Sequence, residues 1–246
     1  MKAMIKNIKK FKELVNLNKD IKDEITLLFD SEGLHIRTLD RSHVIFLFEN
    51  ISKEFFEEYE VDIVEVCCID LAELSDILKR IPDKGSLEIA TDDMNYFSLK
   101  YLDKNNERLF KLAMIDEEYN DVNFPDIPLD YHREILFQDY INGLKDVEIY
   151  SNKVKFMMVD DYFLILADGA TGAYQSKLKI DEVVGETVQS TFTVDKLLVI
   201  NYKPDNGIVD IGLSNNYPLY LGFNEDNIDI TVYVAPRISN DDIGES

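Results

Sequence analysis

The sequence predicts an α+β fold made of two similar β-rich halves, each carrying two helices on one face of its strands. Three observations lead there. Strand and helix periodicities recur in the same order on either side of the chain's midpoint. Gly33–Asp40 lies over Lys153–Asp160 at a shift of about 120 residues, preserving both the alternation and the final Asp. Between the copies runs a stretch from Ala113 to Asp130, dense in carboxylates and holding Pro125 and Pro128, where proline removes backbone donors and favours an extended chain. Residues 1–112 thus form a first domain and 113–130 a connecting loop. Residues 131–246 form a second domain ending in a short polar tail, Ser239–Ser246.

The elements follow in order. Ile8, Phe11, Leu14 and Val15 have helical spacing, so a helix is expected from Ile8 to Ile21. Strands are expected over Glu24–Asp30, Leu34–Leu39, much of Val44–Phe48, and Val61–Ile69. Leu71, Leu74, Ile77, Leu78 and Ile81 define a second amphipathic helix that Pro82 ends. Ser86–Thr91, Tyr96–Tyr101 and Glu107–Leu112 complete the first set of strands. The second half offers a strand at Tyr131–Phe137 and a helix at Gln138–Val147. Strands follow at Glu148–Tyr150, Val154–Val159, Phe163–Ala167, Ala173–Ile180 and Thr187–Thr193. A short helix, Val194–Lys203, precedes strands at Ile208–Leu213, Leu219–Phe223 and Ile228–Val234.

Composition narrows the function. Against 26 Lys and Arg stand 48 Asp and Glu, a formal net charge of −22, which by itself repels nucleic acid and anionic membranes. The few cations are not evenly spread. Lys6, Lys9, Lys10, Lys12 and Lys19 fall within fourteen positions, with Lys9, Lys12 and Lys19 on the helical stripe opposite the apolar one. No apolar run approaches the ~20 residues of a membrane span, and the N-terminus has no signal-peptide core, so a soluble intracellular chain with no membrane partner is expected. Cys67 and Cys68 are neighbours on a strand, pointing to opposite faces, and are expected to be buried inert thiols.

Catalytic and cofactor chemistry finds no support. His35, His43 and His132 have no second ligand at metal-site spacing, and no metal or cofactor is expected. Asp168-Gly169-Ala170-Thr171-Gly172 lacks the Gly-Lys-Ser/Thr ending of a phosphate loop and reads as a hairpin turn. The acidic pairs Asp92/Asp93, Asp160/Asp161 and Asp241/Asp242 sit in turn contexts, and no nucleophile elbow or triad signature occurs.

Three segments carry a resemblance. Leu39-Asp40-Arg41-Ser42-His43-Val44, Val122-Asn123-Phe124-Pro125-Asp126-Ile127-Pro128 and Tyr233-Val234-Ala235-Pro236-Arg237-Ile238 resemble matching segments of the proliferating cell nuclear antigen (PCNA) family of DNA sliding clamps, archaeal type. With the repeated halves, the likeness spans essentially the whole chain; Arg41 departs from the family's Ser. It implies a DNA clamp fold closing into a trimeric ring around duplex DNA, with no enzymatic activity of its own. The implied DNA-facing residues are Lys6, Lys9, Lys10, Lys12, Lys19, Lys79, Arg80, Lys84, Lys145, Lys196 and Lys203. Lys145 stands between Asp139 and Asp146, a departure from an evenly basic channel. The implied subunit seam joins Arg108, Leu109, Phe110, Lys111 and Leu112 of one copy to Tyr174, Gln175, Ser176, Lys177 and Leu178 of the next. The implied partner groove holds Leu39, His43, Val44, Val122, Phe124, Pro125, Pro218, Tyr233, Ala235 and Pro236. It would take the Gln-x-x-aliphatic-x-x-aromatic-aromatic (PIP-box) peptides of a DNA polymerase, a flap endonuclease and a DNA ligase.

The resemblance also implies a clamp loader as partner and a cytoplasmic, nucleoid-associated location, or a nuclear one for a eukaryotic source. Two other readings stand beside it. One is a clamp-like subunit acting mainly in protein binding or in a heterotrimeric ring, suggested by the weakly basic second half. The other is an acidic hydrolase, which needs two carboxyls roughly 5–10 Å apart in a cleft, and no spacing here provides them.

Overall fold

The computed structural model describes residues 1–92, 95–116 and 127–237. It divides into two compact units: one of Met1–Arg41, Leu47–Asn123 and Asp226–Ile230, the other of Ser42–Phe46, Phe124–Glu225 and Thr231–Ser246.

In the first unit, β1 (Lys2–Ile5) leads into α1 (Ile8–Lys19), then β2 (Glu24–Phe29), β3 (Gly33–Leu39), β4 (Ile45–Ser52), β5 (Phe56–Glu60) and β6 (Glu65–Asp70). Helix α2 (Leu71–Arg80) follows, then β7 (Ser86–Thr91), β8 (Tyr96–Leu102) and β9 (Glu107–Ala113). One sheet has the order β5-β1-β7-β8-β9; in the other, β4-β3-β2-β6 lie side by side. Alternation drives both. Ile25, Leu27 and Phe29 of β2 are fully buried while the residues between them are not. The helices start at polar caps, Asn7 Oδ1 accepting from the Lys10 amide and Asp70 Oδ1 from the Glu73 amide. Lys79 and Arg80 in the last turn of α2 complement its dipole.

The second unit repeats this plan. β10 (Tyr131–Leu136), α3 (Phe137–Glu148), β11 (Lys153–Val159), β12 (Tyr162–Gly169), β13 (Gly172–Lys179) and β14 (Val188–Thr193) come first. Then come α4 (Val194–Leu198), β15 (Ile208–Leu213), β16 (Leu219–Glu225) and β17 (Ile228–Val234). Strands β13-β12-β11-β14 form one sheet, and β10-β15-β16-β17 lie in order in another. Its core is aromatic, with Phe156 within 6.0 Å, centroid to centroid, of Tyr140, Phe163 and Phe192. Gly143 lets α3 approach the sheet, since a Cβ there would lie 2.4 Å from Ile165 Cδ1.

The internal repeat is real but one strand out of the expected register. β2 and β11 each pair with the strand that precedes a second helix, β6 and β14 respectively. The counterpart of Gly33–Asp40 is therefore β12, not Lys153–Asp160. A two-residue period cannot fix register, and both β3 and β11 end at an Asp entering a turn.

Other expectations are corrected as well. The strand expected from Val61 begins only at Glu65, and Ile63 and Val64 stand out in solvent at 72% and 63% exposure. Glu148–Tyr150 is the end of α3 and a turn, with the Tyr150 amide donating to Val147 O. Helix α4 stops at Leu198, well short of Lys203. β1 and β5 escaped sequence reading: four residues of β1 hold only because β5 and β7 pair on both sides. Cys67 and Cys68 are buried thiols not joined in a disulfide, and burial pushes the Cys67 thiol up to about 12.

Candidate DNA-facing, groove and seam residues

Helix α1 buries Ile8, Phe11, Leu14 and Val15, which leaves Lys9 (71% exposed) and Lys19 to solvent. Lys6, just before the helix, is exposed and donates to Glu54 O at 3.2 Å. Lys10 is a correction: it is 4% exposed, its Nζ 3.8 Å from Glu13 inside the unit. Such a side chain cannot offer its ammonium to an outside ligand. Lys12 is largely covered and ties α1 to the end of α2, donating to Ile81 O and to Asp83 Oδ1 at 2.6 Å. Lys79, Arg80 and Lys84 are exposed, with Lys79 held 2.7 Å from Asp76.

In the second unit Lys145 is exposed on a helix face that also shows Asp139, Asp146 and Glu148. Lys196 is half-buried and donates to Ser42 Oγ at 2.7 Å, while Lys203 is exposed beyond α4.

The groove residues of the second unit converge at backbone level. The Ala235 amide donates to Val44 O at 2.8 Å, and the Arg237 amide to Thr191 O at 2.7 Å along β14. His43 is exposed in a left-handed conformation (φ 56°), and Val44, Pro218, Ala235 and Pro236 are half-buried. Tyr233, 9% exposed, packs its ring 5.5 Å from Tyr220. Leu39, in the first unit, is half-buried at the end of β3. Val122, Phe124 and Pro125 lie outside the described residues.

The seam candidates occupy two terminal strands, β9 and β13, each paired on one side by its own sheet. Leu109 is 56% exposed, and the Arg108 guanidinium lies 4.8 Å over the Tyr101 ring. Phe110 is half-buried, and Lys111 pairs with Asp92 at 2.8 Å. Leu112, at 4% exposure, belongs to the core, so only its backbone is available to a neighbour. On β13, Tyr174 OH donates to Asp146 at 3.0 Å, Gln175 is exposed, and Ser176 and Leu178 are half-buried. Lys177 Nζ sits 3.4 Å over the Tyr162 ring.

Sequence reasoning missed Ile149 and Tyr150 by reading them as strand. Tyr150 is clamped beside the β12–β13 hairpin, where a Cβ on Gly169 would meet Tyr150 O at 2.0 Å, and Ile149 beside it is 71% exposed. They add apolar surface near β13; an exposed apolar pair after a helix end was the signal available. The hairpin itself turns through Ala170-Thr171, with Gly169 opposite Gly172. Among the described residues no group of three or more His, Cys, Asp or Glu could hold a metal, and no helix is long and apolar enough to cross a membrane.

This architecture has close relatives. Residues 1–121 match the proliferating cell nuclear antigen N-terminal domain. The chain is 28% identical over 225 residues to a DNA polymerase sliding clamp of Methanobrevibacter smithii, covering 90% of this chain and 91% of that one. In fold it is similar to a PCNA crystal structure from Thermococcus kodakaraensis, with TM-score 0.89, 20% identity and coverage of 96% and 99%. It is likewise similar to an A. fulgidus PCNA bound to the C-terminal region of FEN-1, with TM-score 0.87, 23% identity and coverage of 97% and 99%. Repeated units, strand order and relatives agree: the chain belongs to the proliferating cell nuclear antigen family of DNA sliding clamps.

Proposed function

We propose that this chain is a DNA polymerase sliding clamp, a non-catalytic processivity factor that encircles duplex DNA and tethers replication and repair enzymes. The observation that carries the reading is the repeat itself, two units of one topology with terminal strands β9 and β13 each open on one side. Three copies joined head to tail through those strands make a heterologous contact that closes at three-fold rotation. Pairing them removes two exposed strand edges at once.

A ring holds DNA by topology, so its phosphate contacts are best kept few and weak. Each neutralised phosphate adds counterion-release affinity that would slow sliding. Lys6, Lys9, Lys19, Lys79, Arg80 and Lys84 are the exposed cations of the first unit assigned that role. A clamp loader is needed to open such a ring. A PIP-box peptide of a polymerase, flap endonuclease or ligase would seat between the Val44 loop and the Ala235–Pro236 segment, and tethering raises its owner's effective concentration at the DNA.

The acidic flank of α3, where Lys145 stands among Asp139, Asp146 and Glu148, favours a second reading: a ring subunit whose main business is protein binding. One experiment separates them. Lys9→Glu with Lys19→Glu is expected to abolish stimulation of a polymerase on circular primed DNA while leaving ring mass and PIP-box peptide binding intact. Full stimulation by the variant would refute the DNA-encircling role.

A further inference from the structure

The four-stranded sheet of the second unit has an outward face that the clamp reading does not use. On β12 that face shows Tyr162, Leu164 and Leu166, all half-buried, with Met157 of β11 opposite Leu164. Lys153 and Lys155 of β11 flank this apolar row at its Leu166 end. Lys177 and Lys179 of β13 flank it at the other end, opposite Leu164 and Tyr162. β14 adds only Gln189, Thr191 and Thr193 to that side. Carboxylates are scarce here: Asp161 lies 3.9 Å from Lys179, and Asp168 is exposed beside the hairpin. In a chain of net charge −22, a face with four lysines against two acids is a local inversion of sign.

We infer that this face is a docking surface for an acidic amphipathic helix of a partner protein. The two lysine flanks are two strand spacings apart, ~10 Å, which is the diameter of an α-helix with its side chains. A helix laid along β12 would set an aliphatic stripe on Leu164, Leu166 and Met157 and present carboxylates to the lysines on both sides. The aliphatic row decides against nucleic acid, because a phosphodiester backbone gains nothing from Leu and Met. Seam formation through β13 would use its backbone edge and leave the side chains of Lys177, over the Tyr162 ring, and Lys179 on the outward face.

The test uses the full chain and a fluorescent helical peptide with Leu at i, i+3, i+4 and i+7 flanked by Glu, read by anisotropy. Lys153→Glu with Lys155→Glu, both at exposed positions, is expected to weaken binding at least about tenfold. Leu164→Thr is expected to weaken it without changing its salt dependence, and a peptide with every Glu replaced by Lys is expected not to bind. Polymerase stimulation by the Lys variant should stay at the unchanged level, so this proposal and the clamp reading fail separately. No binding of the acidic peptide, or equal binding by the double variant, overturns the inference. So does a duplex or single-stranded oligonucleotide that binds this face in a Lys153- and Lys155-dependent way while the peptide does not.

Discussion

Glu49 offers the sharpest physical test of the first unit. It lies on β4 with no exposed surface, and its Oε1 accepts from Asn18 Nδ2 of α1 at 2.6 Å. Asn18 Oδ1 in turn accepts from Thr38 Oγ1 on β3 at 2.5 Å, and both those residues are buried. Oε2 has no hydrogen-bond partner among the described residues. Burial pushes the carboxyl up from 4.5 to about 8, with the Asn18 bond opposing only part of it. The sign follows from linkage. The folded state holds this proton more tightly than the unfolded chain, so the stabilisation is complete below about 4.5. It is lost as pH rises toward 8. A shift of that size corresponds to a ceiling on the order of 5 kcal/mol, of which roughly 2 kcal/mol falls between pH 5.5 and 7.5. Glu49→Gln keeps the acceptor for Asn18 and removes the proton. Urea unfolding at stepped pH should therefore show wild type losing stability relative to the variant by about 2 kcal/mol over that range. All other titrating groups cancel in the difference. Parallel profiles for the two proteins would refute the assignment of a neutral buried acid.

Two further changes probe the second unit. Tyr140 is fully buried on α3 and its hydroxyl has no hydrogen-bond partner among the described residues, so Tyr140→Phe should raise stability by about 1 kcal/mol; a loss of that size in calorimetry would mean the hydroxyl is satisfied in solution. Gly169→Ala drives a Cβ against Tyr150 O, a backbone atom that cannot swing away, and should cost roughly 2–3 kcal/mol, a Tm drop of about 5–10 °C. An unchanged Tm there would show that the hairpin and the end of α3 are not held together.

Some elements were written plainly in the sequence. Helix α2 has five apolar residues in period, cations in its last turn and a proline beyond it, and it forms within one residue of expectation. Ser86–Thr91, Ile208–Leu213 and Ile228–Val234 form as read, because alternation and bounding turn residues agree. Where only one signal spoke, the reading slipped. The valines and isoleucine of Val61–Val64 have strand propensity, yet no strand among the described residues pairs with them, and propensity without a partner does not make a strand. Lys10 shows the same limit at a side chain. Helical periodicity places it at the border of the apolar stripe, and only the packing around α1 decides that its long stem turns inward.

Lys10 and Lys12 also sharpen the electrostatic logic of the clamp. Of five lysines clustered at the start of the chain, one is buried and one is spent holding α1 to the end of α2. Lys9 and Lys79 keep carboxylates of their own helices close by, Glu13 at 3.7 Å and Asp76 at 2.7 Å. Exposed pairs of this kind are weak and are exchanged readily for a phosphate and back again. An open protein relying on so few free cations would fall off DNA at moderate salt, because added salt erodes the counterion-release affinity that each lysine–phosphate pair supplies. A closed ring does not depend on that affinity. In the proposed ring the same paired lysines would give brief, interchangeable phosphate contacts, which suits the proposed role of staying on DNA without staying in one place.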